Sequence, residues 1–367
     1  MRTDQDIQWM QEALECARRG EGLTRPNPPV GAVVVRRGVA VGRGFHRKAG
    51  GPHAEVLALQ QAGTRARGAT LYVTLEPCCT WGRTPPCTDA ILASGIRRVV
   101  VGAVDPNPLH AGRGLRRLKR AGMEIVSGVA GDEARALIAP FTSTMTRHRP
   151  FITLKMAVSL DGKIADAAGR SKWITGPAAR NVVQDLRRRC DVILVGATTA
   201  CLDNPSLLPR PARGREPFRV IIDSTGRLPY SSRVLTDGAH LQTIVATTMR
   251  CPAARRAAYA ACGAQVWCLP SSAGRISLKA LLRKLQGLGA LHVLVEGGGE
   301  LAAAFLRTGQ VDELVWFVAP LILGNTGVPA VGGKGWPLAK APRMKLVETR
   351  RLGDDVMIRA MSERGPH

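Results

Sequence analysis

His53-Ala54-Glu55, followed by Thr74-Leu75-Glu76-Pro77-Cys78-Cys79-Thr80-Trp81-Gly82-Arg83-Thr84-Pro85-Pro86-Cys87, decides how the chain is read. Within 35 residues these two segments offer one imidazole, three thiols and a carboxylate beside the imidazole. Nitrogen and sulfur donors of this kind suit zinc. One His and two Cys leave a fourth coordination position for water, and the metal brings that water's pKa close to neutrality. Glu55 is too near His53 in sequence to be a comfortable second ligand, but it is well placed to carry a proton. The competing reading is a closed structural site with Cys79 or another group as fourth ligand.

The elements around this stretch form an alternating pattern. Ile7, Met10, Leu14 and Ala17 fall at helical spacing within Met1 to Gly20. Arg25-Pro26-Asn27-Pro28-Pro29 is a rigid entry to a strand at Ala32 to Val35, a turn at Arg36-Arg37-Gly38 and a return strand at Val39 to Gly44. Residues His53 to Gln61 read as a helix with His53 and Glu55 in its first turn. Thr70 to Leu75 is a strong strand, stopped by Pro77. A short helix at Asp89 to Leu92, a strand at Arg98 to Gly102, a helix at Gly114 to Ala121 and a strand at Met123 to Val126 follow. Strands alternating with helices predict an α/β sandwich. Glu76 is expected to cap or brace the metal loop.

Phe141 to Pro150 has no strong periodicity and ends in proline, so the domain boundary is placed there: residues 1–147 and 148–367. The second part predicts strands at Phe151 to Ala157, Asp191 to Gly196, Phe218 to Asp223, Thr243 to Ala246 and His292 to Glu296. Helices are expected at Gly176 to Arg189, Pro252 to Ala261, Ser277 to Leu288 and Glu300 to Arg307. That order implies a mostly parallel sheet. Late strands at Asp312 to Val318, Met344 to Val347 and Val356 to Ile358 are expected to be antiparallel. Val295-Glu296-Gly297-Gly298-Gly299 joins a strand to a helix, where glycines let the backbone approach a phosphate; a tight turn is the bland alternative. Val195-Gly196-Ala197-Thr198-Thr199, leading to Asp203-Asn204-Pro205, reads as a loop able to hold a nucleotide.

A chain of 367 residues is long enough for two ordinary domains, and no run of about 18 uncharged apolar residues predicts a membrane span. The nine cysteines are scattered apart from the cluster above, which suggests a reducing, cytoplasmic setting. The net charge of +24 is spread over both halves, and aromatic residues are only 4% of the chain. Single-strand binding needs aromatic stacking platforms, so an anionic small substrate is the preferred partner and specific nucleic-acid binding is not expected.

The order His-x-Glu … Pro-Cys resembles the zinc-dependent deaminases of nucleobases. The long Cys78 to Cys87 loop, with Gly82-Arg83-Thr84-Pro85-Pro86, resembles one family in particular: the bifunctional deaminase–reductases of riboflavin biosynthesis. Asn27 in Pro-Asn-Pro, His46, and Val104-Asp105-Pro106-Asn107-Pro108 before Gly112-Arg113-Gly114 match it as well. In the second half Leu154-Lys155 through Gly162, Ser171-Lys172-Trp173-Ile174-Thr175, Thr199, Asp203, Ile222-Asp223-Ser224 and Glu296 follow that family's order. The resemblance implies a cytidine-deaminase-like zinc domain followed by a dihydrofolate-reductase-like domain that uses NADPH. It implies His53, Cys78 and Cys87 as zinc ligands, Glu55 as proton shuttle, and Asn27, His46 and Arg83 as contacts to the pyrimidine or its phosphoribosyl tail. For the second half it implies Ala157, Trp173, Thr199, Asp203, Ser224, Gly298 and Gly299 near the dinucleotide, with Ser171, Arg187, Leu207, Arg210 and Glu296 meeting the phosphorylated substrate. Lys155 and Asp203 are both candidates to position or protonate that substrate.

The chain departs from the family pattern at Cys79, usually Ser, and at Thr80, usually His; Asn204 and Leu208 replace an Asp and a Thr. Trp81 is expected either to fill the space beside Thr80 or to pack on its own domain. The reading implied is zinc-dependent deamination of a 2,5-diamino-6-(phosphoribosylamino)pyrimidinone, then reduction of the ribosyl to a ribityl chain, in a homo-oligomer. The alternatives are a duplicate enzyme of a secondary pathway with altered or lost deaminase activity, a nucleic-acid-editing deaminase, and a scaffold with a dead first half.

Overall fold

The computed structural model describes residues 4–212 and 214–363. Met1 to Thr3 of the expected first helix, and the last four positions of the expected second domain, lie outside these. The chain forms two compact units, Met1–His148 and Arg149–His367.

The first unit contains α1 (Asp4–Arg18), β1 (Gly31–Arg36), β2 (Val39–Phe45), α2 (Ala54–Ala62), β3 (Thr70–Leu75), α3 (Cys87–Ser94), β4 (Arg98–Ala103), α4 (Arg113–Arg120), β5 (Glu124–Ser127), α5 (Gly131–Leu137) and α6 (Ala139–Arg147). Its sheet runs β2-β1-β3-β4-β5. β1 is antiparallel to β2 and β3, whereas β3, β4 and β5 are parallel. The apolar runs in β1, β3 and β4 are continuous because helices cover both faces. Ala32, Val34, Leu71 and Val99 pack with Ala54, Ala58 and Ile91 on one face. Val33, Tyr72 and Val100 pack with Met10, Leu14 and Ala134 on the other. Asp6 ties α1 to the sheet: it accepts from Tyr72 Oη at 2.9 Å and from both terminal nitrogens of Arg98 at 2.7 and 2.9 Å.

Two glycines set the height of α2. A β-carbon on Gly42 would fall 2.1 Å from the Ala58 carbonyl oxygen, and one on Gly44 2.2 Å from that of Ala54. Only glycine lets α2 lie directly on β2, and that seating brings its first turn to the mouth of the site.

The expected linker is different. Most of Phe141 to Pro150 belongs to α6, which ends with His148 in the left-handed region. Its Ser and Thr residues hide the pattern, because they bond within the helix: Thr142, Thr144 and Thr146 donate to the carbonyls of Ile138, Pro140 and Thr142.

The second unit has β6 (Phe151–Ser159), α7 (Pro177–Arg189), β7 (Val192–Gly196), α8 (Ala197–Asp203), β8 (Phe218–Ile222), β9 (Thr243–Thr247), α9 (Ala253–Ala261), β10 (Gln265–Cys268), α10 (Leu278–Gly287), β11 (His292–Val295), α11 (Gly299–Arg307), β12 (Glu313–Ala319), β13 (Met344–Leu352) and β14 (Asp355–Ser362). The strand order is β10-β9-β8-β7-β11-β6-β12-β14-β13. β12 was expected to be antiparallel. It runs parallel to β6 and antiparallel only to β14. The α11 crossover returns the chain to the sheet end from which β11 began, and that makes a parallel neighbour. The expected loop at 197–203 is α8, whose buried Ala197 and Ala200 are too few to reveal a period. β10 escapes the sequence because it is a short edge strand with only Trp267 buried. Among the described residues no helix is long and apolar enough to cross a membrane.

Candidate active sites

In the first unit the loops leaving β3 and entering α2 converge. His53 is the residue before the first turn of α2, in extended conformation, and Cys87 opens α3. His53 Nδ1 lies 3.1 Å from Cys87 Sγ and 3.5 Å from Cys78 Sγ. The donor atoms of all three residues lie within 4.8 Å of one another. The Cys87 N–H points at Cys78 Sγ at 3.3 Å. A hydrogen bond from the Cys87 thiol, aided by His53, holds the Cys78 thiol well below its ordinary range, while the Cys87 thiol is raised by sharing that proton and by burial. A site that already stabilises a thiolate beside an imidazole fits zinc.

Glu55 is buried in the first turn of α2, 3% exposed. Burial, with the neighbouring Cys78 charge, raises its carboxyl to about 7. Cys79 does not belong to the donor cluster. That leaves three donor side chains with a buried carboxylate beside them, the composition that an open catalytic zinc site requires.

Further contacts orient this centre. Thr84, which sequence reasoning passed over, places its hydroxyl 3.3 Å from His53 Nε2, the nitrogen that faces away from the thiols. A partner there fixes ring orientation. Asn27 Nδ2 donates to His46 Nε2 at 3.0 Å, so His46 donates from Nδ1 to the Pro52 carbonyl at 3.1 Å. The His46 ring meets the His53 ring edge-on with centroids 5.1 Å apart. Burial lowers the His46 pKa and keeps the ring neutral.

Glu76 braces the site. Its carboxylate accepts from the backbone N–H groups of Asp105, Gly112, Gly114 and Leu115 at 2.8–3.2 Å. A β-carbon on Gly114 would sit 2.2 Å from the Pro77 carbonyl oxygen, so this loop closes only on glycine. Arg83 is exposed at the rim. Trp81 is 75% exposed, and so neither expected role, filling the gap or packing on the domain, is realised. Thr80 Oγ1 lies 3.4 Å from Nδ1 of His110, a residue the sequence had not singled out.

The second unit encloses a cavity of about 1250 Å³. Ala157, Trp173, Thr199, Asp203, Ser224, Gly298 and Gly299 line it, and so do Ser171, Arg187, Leu207, Arg210 and Glu296. It opens at the C-terminal ends of β7, β8, β9 and β11. β7 and β11 are adjacent there and their chains leave in different directions, the usual place for a ligand crevice in a parallel sheet. Gly299 admits no side chain, since a β-carbon would lie 2.3 Å from the Pro329 carbonyl oxygen.

Individual residues sit differently from the expectation. Arg187 was expected to grip phosphate. Its Nε and one terminal nitrogen instead bond both oxygens of Glu296 at 2.7 and 2.8 Å. Burial alone would raise the Glu296 carboxyl, but the Arg187 charge holds it low. The Arg210 guanidinium stays exposed, its backbone held by Gln184. Asp203 accepts from Ser171 Oγ at 3.0 Å. Lys155 faces the cavity without a hydrogen-bond partner among the described residues, and burial lowers its pKa although Glu296 opposes the shift. Asn204 adopts a positive φ of 42° at the end of α8, a conformation asparagine accepts, and takes the Arg233 N–H at 2.8 Å. Leu207, at φ 58°, is strained and buried.

Comparison with known proteins follows the same division. Residues 3–103 match the cytidine and deoxycytidylate deaminase zinc-binding region, and residues 150–358 match the RibD C-terminal domain. The riboflavin biosynthesis protein RibD of Aquifex aeolicus is 45% identical over 356 residues, 96% of this chain and 97% of that protein. RibD of Escherichia coli K12 is 40% identical, covering 96% and 98%. Among solved structures, Acinetobacter baumannii RibD, form 1, has a TM-score of 0.87 at 40% identity, covering 98% of this chain and 99% of that one. A Thermotoga maritima diaminohydroxyphosphoribosylaminopyrimidine deaminase/5-amino-6-(5-phosphoribosylamino)uracil reductase has a TM-score of 0.86 at 37% identity, covering 98% and 99%.

Proposed function

The chain belongs to the RibD family of riboflavin-biosynthesis proteins, a deaminase and a reductase in one polypeptide, and on that premise we propose which of its residues perform each step. The convergence of His53, Cys78 and Cys87 beside the buried Glu55 carries the reading of the first unit. The substrate is a 2,5-diamino-6-(5-phosphoribosylamino)pyrimidin-4-one. His53, Cys78 and Cys87 hold zinc, which when bound makes water nucleophilic near neutral pH. Glu55 takes the proton of the attacking water, gives it to the ring nitrogen, and later protonates the departing amine. Asn27 and the neutral His46 orient the pyrimidine, and Arg83 meets its tail.

The second unit reduces the ribosyl side chain to ribityl with NADPH as hydride donor. The acidic residue after β8 supports NADPH over NADH. A carboxylate in that position of a dinucleotide fold commonly binds the ribose 2′-hydroxyl. Here Asp223 is turned inward, accepting from Gly226 N at 3.1 Å and Leu228 N at 2.8 Å. Arg227 and Arg250 also line the cavity, and neither has a carboxylate partner among the described residues. Guanidinium groups there suit a 2′-phosphate. Arg210, exposed and on the cavity wall, meets the substrate phosphate. Lys155 is the better candidate to protonate the reacting group, because its ammonium lines the cavity with no hydrogen-bond partner among the described residues, whereas Asp203 is engaged by Ser171. Glu296, held by Arg187, accepts hydrogen bonds from the substrate.

The full-length match does not favour a duplicate enzyme of another pathway. The test is the wild-type protein with the diaminopyrimidine phosphate. Without NADPH, ammonia and the deaminated phosphoribosylaminouracil should accumulate; adding NADPH should convert the latter to the ribityl compound, and a zinc chelator should stop only the first step. Hydride consumption before any ammonia appears would overturn the assignment of the two units.

A further inference from the structure

The rim of the metal site is built from two loops, and one side chain in the second has no assigned task. We propose that His110 is a substrate-binding residue of the deaminase, donating from Nε2 to the phosphate of the pyrimidine's phosphoribosyl tail. The proposal rests on reading the first unit as a phosphoribosylpyrimidine deaminase.

The loop between β4 and α4 is held rigidly to the metal loop. Glu76, two residues before Cys78, binds the backbone N–H groups of Asp105 and Gly112 in this loop and of Gly114 and Leu115 in the first turn of α4. Asp105 Oδ1 accepts from Asn107 N at 2.8 Å, and Asn107 Oδ1 from Leu109 N at 3.0 Å. The Asn107 carbonyl accepts from His110 N at 2.9 Å, and the His110 carbonyl from Arg113 N at 2.7 Å. The backbone at position 110 is therefore fixed at both ends relative to Cys78.

The imidazole is half-buried, with Nδ1 against Thr80 Oγ1 at 3.4 Å. Nε2 has no hydrogen-bond partner among the described residues. The neighbouring Arg113 does not compete for this place, since it turns back to the Leu109 carbonyl at 3.0 Å. Thr80 belongs to the loop that carries Cys78, and Thr84 of that loop touches His53. On that reading, a base seated against His53 and Glu55 sends its ribose and phosphate out over this rim, where Thr80 and Arg83 follow Cys78 on the same loop. Arg83 offers a charge from one loop and His110 offers an N–H from the other. Thr80 carries no charge, but its hydroxyl lies against a ring whose second nitrogen is a donor. Recognition of the tail is thus split between two loops.

The experiment compares His110→Ala with wild type on the phosphoribosyl substrate and on its dephosphorylated riboside, reading ammonia release. The expected result is a KM roughly tenfold higher on the phosphorylated substrate, as for loss of a hydrogen bond to a charged group. kcat should stay within about twofold, the riboside KM should not change, and bound zinc should be retained. His110→Gln, which keeps an N–H donor, should recover part of the loss, as should Thr80→His combined with His110→Ala. An unchanged KM on the phosphorylated substrate would overturn the proposal, and so would an equal loss on both substrates. Failure of the wild type to release ammonia from either compound would instead overturn the reading of the whole site.

Discussion

The two sites are built in different ways. The candidate metal centre of the first unit draws its three donor side chains and the buried Glu55 from residues 53–87, held by two loops and the starts of two helices. The cavity of the second unit draws its walls from β6 through α11 and from the segment after β12, and its residues span positions from Lys155 to Gly332. The first site depends on a few donor atoms whose chemistry has no substitute. The second depends on many contacts, each replaceable in part, around buried ion pairs. Damage to the first should therefore be all-or-none and local, whereas damage to the second should be graded and should also reach stability.

The largest expected effect is removal of a ligand. Cys87→Ser should lose zinc and reduce deamination below detection, while reduction of the already deaminated substrate continues near the wild-type rate. Metal analysis and a coupled NADPH assay check both halves; equal loss of both activities would break the contrast. Next is Glu296→Ala, which leaves the Arg187 guanidinium buried without its partner. Breaking such a pair costs about 3–5 kcal/mol. The variant should lower the denaturant midpoint of the second unit and spare ammonia release.

A smaller effect follows from His292 on β11. Thr153 gives its only hydroxyl hydrogen to Glu313 at 2.7 Å, so His292 Nε2 donates to Thr153 Oγ1 at 2.8 Å. Burial outweighs the neighbouring carboxylates and lowers this imidazole to about 4. An unfolded histidine binds its proton near 6.5. Between these values the unfolded chain holds the extra proton, so stability contributed here is complete above pH 6.5 and lost as pH falls to 4, about 3 kcal/mol in all. The urea midpoint for loss of reductase activity should fall over that window and fall less in His292→Gln. Smallest is Arg250→Ala. It should raise the KM for NADPH about tenfold, roughly 1.4 kcal/mol, without changing the KM for NADH; an equal change with both would remove Arg250 from the 2′-phosphate end.

The same contrast explains what the sequence disclosed. The grouping of His53, Cys78 and Cys87 was legible because these residues, with Glu55 beside the His, have few uses in that order. The strands around them were legible because both faces of β1, β3 and β4 are covered. Thr84 and His110 were not, since neither residue type nor spacing marks a rim contact made across loops. In the second unit, α8 was hidden by Thr198 and Thr199, and α6 of the first unit by its Ser and Thr residues. The pairing of Arg187 with Glu296 joins positions 109 residues apart, beyond the reach of local pattern. The inward turn of Asp223 is likewise a matter of tertiary contacts with Tyr259 and the Gly226 turn.

The central claim is that one chain holds two chemically independent sites, with Glu55 moving the proton in the first. Glu55→Gln tests it most directly, with ammonia release and NADPH oxidation measured in parallel on the diaminopyrimidine phosphate and on its deaminated product. The account predicts ammonia release reduced by about 10²–10⁴ with zinc still bound, and wild-type NADPH oxidation on the deaminated product. Normal ammonia release by Glu55→Gln, or a matching loss of NADPH oxidation on the deaminated product, would contradict it.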